Sequence, residues 1–231
     1  MKNLKNIINN LVKESHKTKK KSAVFIGNTK KVSNHKFYSS KIHSHNKWVF
    51  ISIIFYKEKD VKLFAKLIDG KIDIIFVDTE KKILSQNKKE LFNIERTVRE
   101  NIKKSNIFPY KANDASVQSA EQFLFYKFSK NKRGIGDKNI LIIGVGNIGS
   151  KLALKLTESG ANVFVNRRNK NKQKKIIDAI NIIKPEATRA KSHLVKDYKK
   201  IFPNLDVVIN CSNNPGMILQ NKFNFFKKNI L

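Results

Sequence analysis

Three glycines and a pair of arginines carry the first chemical signal in this chain. The segment from Asn139 to Arg168 reads NILIIGVGNIGSKLALKLTESGANVFVNRR. An apolar run, Ile140–Ile143, leads directly into Gly144-x-Gly146-x-x-Gly149. At this spacing Gly144 permits a tight turn, Gly146 lets the backbone approach a pyrophosphate, and Gly149 lets a helix pack close to the strand. The helix opening at Asn147 and Ile148 would present free N–H groups and a positive dipole end to phosphate. The next apolar run, Asn162–Val165, ends about 21 residues after Gly144, where the residue that reads a ribose belongs. A carboxylate there would accept hydrogen bonds from a 2′-hydroxyl. This chain has Asn166, Arg167 and Arg168 instead. A guanidinium matches a 2′-phosphate, so the expected cofactor is NADP rather than NAD.

A second loop belongs with the first. Asp206–Asn210 (DVVIN) has the pattern of a buried parallel strand and runs into Cys211-Ser212-Asn213. Polar loops at the C-terminal ends of parallel strands lie on the ligand side of such sheets. Cys211, Ser212 and Asn213 are therefore expected beside the cofactor. No histidine lies near Cys211 in sequence, so it is expected to be a small packing residue rather than a nucleophile.

The elements that must position these loops alternate along the chain. Residues 1–21 place Leu4, Ile7, Ile8, Leu11 and Val12 at helical spacing, which predicts an amphipathic helix packed on the body. Ala23–Gly27, Trp48–Tyr56 and Ile72–Val77 predict buried strands. Asp60–Ile68 predicts a helix stopped by Gly70, and Asn87–Ser105 one with Leu91, Ile94, Val98 and Ile102 on one face. Pro109 reads as punctuation. Ser116–Ser129 predicts a long helix, and Lys130–Asp137 a linker. The expected fold class is α/β with two α/β domains: residues 1–115 for substrate, and residues 116–231 as a doubly wound Rossmann-type parallel sheet. Lys228–Leu231 resembles the start of another strand, so the second domain is expected to be incomplete at the C-terminus.

With these residues in view, the chain resembles the shikimate dehydrogenase family over roughly residues 23–217. The residues that carry the likeness are GVGNIG, the strand ending in NRR, and VVINCSNNPGM. The resemblance implies an N-terminal substrate domain, an NADP-binding Rossmann domain, and hydride transfer on a small hydroxy or keto acid. It also implies catalytic roles for two residues. Val77-Asp78-Thr79-Glu80-Lys81-Lys82 keeps the family's Val-to-Lys spacing, placing Lys82 on its catalytic lysine, although Asp78 and Glu80 replace the family's Thr and Pro. Asn113-Asp114 opens the helix leading to the second domain, placing Asp114 on its catalytic aspartate. The family's Ser-x-Ser pair has no clean counterpart, with Ser39, Ser40, His45 and Asn46 in the corresponding region at shifted spacing. A lysine with a neighbouring carboxylate can donate a proton and stabilise a developing alkoxide. The altered motifs also suit a second reading, a catalytically inactive sensor or scaffold that only binds the dinucleotide.

Composition bounds the rest. The chain has 231 residues and a formal charge of +30, yet only six of its 48 basic residues are arginine. Nucleic-acid readers favour arginine. A surplus of Lys, Asn and Ile reads as AT-rich coding background, so nucleic acid is not an expected partner. Forty per cent hydrophobic residues support a core. No apolar run reaches the length of a membrane span. The start lacks a signal-peptide core, and the single cysteine fits a reducing compartment, so the expected location is cytoplasmic. The five histidines, His43 and His45 among them, lack the further ligands a metal site needs. The expected partner is a small carboxylate substrate, and the sequence is compatible with a homodimer. The arginine pair yields the first prediction. Replacing both Arg167 and Arg168 by Ala should weaken NADPH binding roughly 10- to 100-fold, the loss of charge-assisted hydrogen bonds. NADH binding should be nearly unchanged, and equal losses in a fluorescence titration would remove the NADP assignment.

Overall fold

The computed structural model describes residues 2–29, 33–80, 94–166, 169–195, 201 and 203–212. The chain divides into two compact units, Met1–Ala112 and Asn113–Leu231.

The first unit is built on the strand that the sequence marks most strongly. In β4 (Trp48–Phe55) every second residue is fully buried. Val49, Ile51, Ile53 and Phe55 face one way with no exposure, the period-two pattern of a sheet with one covered face. Parallel partners flank it in the order β4, β1 (Lys21–Asn28), β5 (Ile74–Asp78), β6 (Asn106–Tyr110). Two short strands, β2 (Phe37–Ser39) and β3 (His43–His45), pair antiparallel with β4. Three helices supply one core: α1 (Lys2–Thr18) through Leu4, Ile8 and Leu11, α2 (Glu58–Ile68) through Val61, Phe64 and Ile68, and α3 (Ile94–Asn101) through Ile94 and Val98.

Three local departures from the sequence pattern have physical causes. The segment around Pro109 is not punctuation but β6, the last described strand on that side of the sheet. Only an edge tolerates a residue without an N–H. Helix α3 stops at Asn101 instead of reaching Ser105, because the N–H groups of Lys104 and Ser105 donate to the Asp69 carboxylate (2.7 and 3.1 Å). Those bonds, that of Lys104 foremost, hold the Asp69 carboxyl below its ordinary range. Strands β2 and β3 are three residues each and carry no run of apolar residues for a pattern to detect. Residues 87–93, expected to open the α3 helix, lie outside the described residues.

The second unit opens within α4 (Ala112–Phe128), a helix that starts four residues earlier than the apolar spacing alone suggests. Its sheet is fully parallel, in the order β10 (Val207–Asn210), β7 (Asn139–Ile143), β8 (Asn162–Asn166), β9 (Ser192–Leu194). Read from the β9 edge and numbered along the chain that is 3-2-1-4, so the strand order reverses between β7 and β10. Helices α5 (Asn147–Glu158) and α6 (Lys170–Ile183) pack Leu152, Ala153, Leu156, Ile177 and Ile180 with Ile140, Ile142, Val163 and Val165. The alternate β7 residues, Leu141 and Ile143, join Leu205 in a separate cluster, so β7 is buried on both faces. Truncating Phe64, fully buried between α2 and β4, should cost about 3–5 kcal/mol in urea unfolding. Tyr126→Ala, at a residue 76% exposed, should change stability by about 0.5 kcal/mol or less. Equal effects would contradict this core.

Candidate functional site

In the second unit the glycine loop and the loop after β10 meet at the reversal of strand order. Gly144 follows β7 with φ of 90°, a conformation that L side chains rarely adopt. A Cβ on it would stand 2.6 Å from the Ser212 nitrogen and 2.7 Å from its Cα. A Cβ on Gly149 would stand 2.3 Å from the Gly144 oxygen and 3.3 Å from the Cys211 Cβ. Gly146 differs, since a Cβ there would meet nothing within 4 Å. Gly146 is also the N-cap of α5 and provides no side chain to satisfy the first N–H groups. The helix therefore begins at Asn147 and Ile148 with backbone donors suited to an anion. This is a cradle with closed walls and an open floor, and it fits a pyrophosphate.

The flanking residues hold this shape. The Gly144 N–H donates to the Asn166 carbonyl (2.9 Å), and the Cys211 N–H to the Ile143 carbonyl (2.8 Å). The Asn166 amide nitrogen donates to the Val195 carbonyl (3.0 Å), so this side chain ties the end of β8 to the residue after β9. The Ser212 N–H donates to the Asn210 side chain (2.9 Å). Burial pushes the Cys211 thiol above its ordinary range, which suits a packed thiol rather than a nucleophile. Arg167, Arg168 and Asn213 lie outside the described residues.

The two residues expected to be catalytic are placed differently. Lys82 lies outside the described residues. Asp114 stands in the first turn of α4, 47% exposed, and its carboxylate accepts from the ammonium of Lys151 on α5. Lys151 carried no distinguishing mark in so lysine-rich a sequence. The serines of the Ser-x-Ser region are structural: Ser40 Oγ accepts from the Ser52 N–H (3.0 Å) and donates to the Lys41 carbonyl (2.7 Å), fixing the chain beside β4.

The first unit has a polar edge of its own at the C-terminal ends of its parallel strands. Asp78 ends β5 at 2% exposure, and Asn28 ends β1 at 4%. Neither polar atom of the Asn28 side chain has a hydrogen-bond partner among the described residues, a costly state for a buried amide. A Cβ on Gly27 would lie 3.8 Å from an Asp78 carboxylate oxygen and 4.0 Å from the Tyr110 hydroxyl. Burial, then the negative charges of Asp78 and Glu80, push the Tyr110 hydroxyl above its ordinary range. It is a neutral donor at physiological pH. The sequence reading missed Asn28 and Tyr110. The available signals were an Asn directly after a strand glycine and the aromatic following Pro109. Among the described residues no cluster of His, Cys, Asp and Glu has the geometry to hold a metal ion. No described helix is long and apolar enough to cross a membrane.

No curated protein matches the sequence. A shikimate dehydrogenase solved in complex with NADP+ is 14% identical with a TM-score of 0.44, over 87% of this chain and 69% of that one. L-tryptophan dehydrogenase from Nostoc punctiforme is 14% identical with a TM-score of 0.42, over 92% and 69%. Anabolic ornithine carbamoyltransferase from Campylobacter jejuni scores as high, 0.44 at 14% identity, over 97% and 75%. Resemblance at this level does not separate a dehydrogenase from a transferase. The family model "Shikimate / quinate 5-dehydrogenase" matches residues 127–225, which span the glycine cradle and the β10 loop. Over those residues the chain is similar to the shikimate dehydrogenase family.

Proposed function

We propose that the protein is an NADP-dependent oxidoreductase that transfers hydride between the nicotinamide and a small hydroxy or keto acid. The observation that carries this reading is the cradle at the strand-order reversal, where Gly144 and Gly149 admit no side chain and α5 begins uncapped. The backbone N–H groups from Gly146 to Gly149, with Asn147 and Ile148 between them, hold the pyrophosphate. Arg167 and Arg168 hold the 2′-phosphate, and Asn166 fixes the end of β8 that precedes them in sequence. Cys211 and Ser212 form the opposite wall, and Asn213 acts with them on the cofactor. When bound, the dinucleotide supplies or accepts the hydride.

The chain's own residues handle the substrate. Lys82 orients the reacting oxygen and moves its proton, and Asp114 supplies the carboxylate that acts with it. Asn28 and Tyr110 offer polar groups at the first unit's sheet edge, where a carboxylate substrate needs donors. The ion pair of Asp114 with Lys151 favours a second reading, a dinucleotide-binding sensor or scaffold in which that carboxylate is structural. Turnover of keto acids by a protein already shown to bind NADPH separates the two.

Two substitutions test the site. Gly146→Ala should leave the urea midpoint nearly unchanged, because nothing meets the added methyl group, while NADPH affinity falls by roughly tenfold or more as the backbone loses its close approach. Undiminished affinity would place the phosphates elsewhere. Lys82→Ala should lower kcat by roughly 10²- to 10⁴-fold with NADPH binding retained. Full activity in that variant removes Lys82 from the mechanism.

A further inference from the structure

The sheet of the first unit has two unequal faces. Val24, Ile26, Val49, Ile51, Ile75 and Val77 are fully buried in one cluster with the helices. The alternate residues point the other way, and no described helix of this unit covers them. Phe25, Phe50 and Phe76 are only half-buried, and Phe108 is 48% exposed. Parallel sheets normally bury both faces, so an aromatic face that no described element covers is a candidate binding surface.

Part of that face is a formed cavity of about 540 Å³, within the size range of small-molecule sites. Its walls are aromatic. The rings of Phe25 and Phe76 stack at 4.5 Å, and Phe50 meets Phe25 edge-on at 5.7 Å. Strand β3 forms the rim. His43 stacks on Phe50 at 5.4 Å, and His45 lies opposite Trp48 in register. The Lys20 ammonium donates to the hydroxyl of Ser44, itself a lining residue (2.7 Å). No acidic residue is among those lining the cavity, and Glu14 is the single acid in residues 1–57. Cation and imidazole donors above stacked rings fit one chemistry, a flat ring carrying an anionic group. A second copy fits less well, since two such rims would set like charges against each other.

We propose that this cavity binds a planar aromatic carboxylate, with the ring lying against the cluster of Phe25, Phe50 and Phe76 and the carboxylate at Lys20, His43 and His45. The site is separate from the proposed substrate edge. Ala23 and Trp48 lie toward the N-terminal ends of the strands, and Asn28, Asp78 and Tyr110 at their C-terminal ends.

Trp48 is the chain's single tryptophan and reports occupancy directly. Titration of the full chain with 1-naphthoate, followed by corrected Trp48 fluorescence and by calorimetry, should give saturable one-site binding. Neutral 1-naphthalenemethanol should bind about tenfold more weakly. The rim variant Lys20→Gln/His43→Gln/His45→Gln should abolish that preference while keeping the wild-type melting curve. The Phe76→Ala variant should weaken both probes alike. Non-saturable quenching, equal affinity for the two probes, or an unchanged preference in the rim variant overturns the proposal. So does a concentration-dependent dimer that alters Trp48 fluorescence without a probe, which would seat a second copy on this face.

Discussion

The second unit depends on one close approach between backbones. After β7 the chain passes the Cys211–Ser212 segment at a separation that excludes even a methyl group. Glycine at 144 is therefore a condition for strands β7 and β10 to lie side by side with their loops in contact. Glycine at 149 sets how near α5 comes to that turn, and glycine at 146 leaves the helix start without a side-chain cap. The glycine cradle is thus a by-product of tight packing at the place where the strand order reverses. The same constraint explains why burial rather than reactivity governs Cys211, whose side chain faces the close-packed turn.

The first unit obeys a different rule. Its sheet is anchored on one side by apolar residues from three helices, and period-two alternation sends aromatic side chains to the other. The same strands therefore supply a fully packed core and an aromatic face with a cavity. At their C-terminal ends they also supply Asn28, Asp78 and Tyr110. Each of these three environments is fixed by parity and register along β1, β4, β5 and β6 rather than by any local motif.

This difference decides how much was legible in the sequence. The glycine cradle could be read because its residues are close in sequence and each has a steric job. The major helices and the central strands were legible from apolar spacing. Pro109 misled because edge position, which makes a strand proline acceptable, is a property of the finished sheet. The ion pair of Asp114 with Lys151 and the unpartnered amide of Asn28 depend on tertiary placement, and neither residue type stands out in a chain rich in lysine and asparagine. The composition that signals a basic protein also hid which lysines are engaged.

The neighbour relation between β7 and β10 has a consequence for how the molecule comes into being. The bond from the Asn139 N–H to the Asp206 carboxylate (2.8 Å) closes a loop of 67 residues. Contacts of that separation form late, because the entropy of loop closure is spent before they are gained. The β7–α5–β8 segment can assemble from local contacts during synthesis, but the wall facing Gly144 is not yet there. Completion of the glycine cradle is thus a timed property of the chain, gained when β10 docks. A ligand that binds only the completed cradle would act on the last step of folding rather than the first.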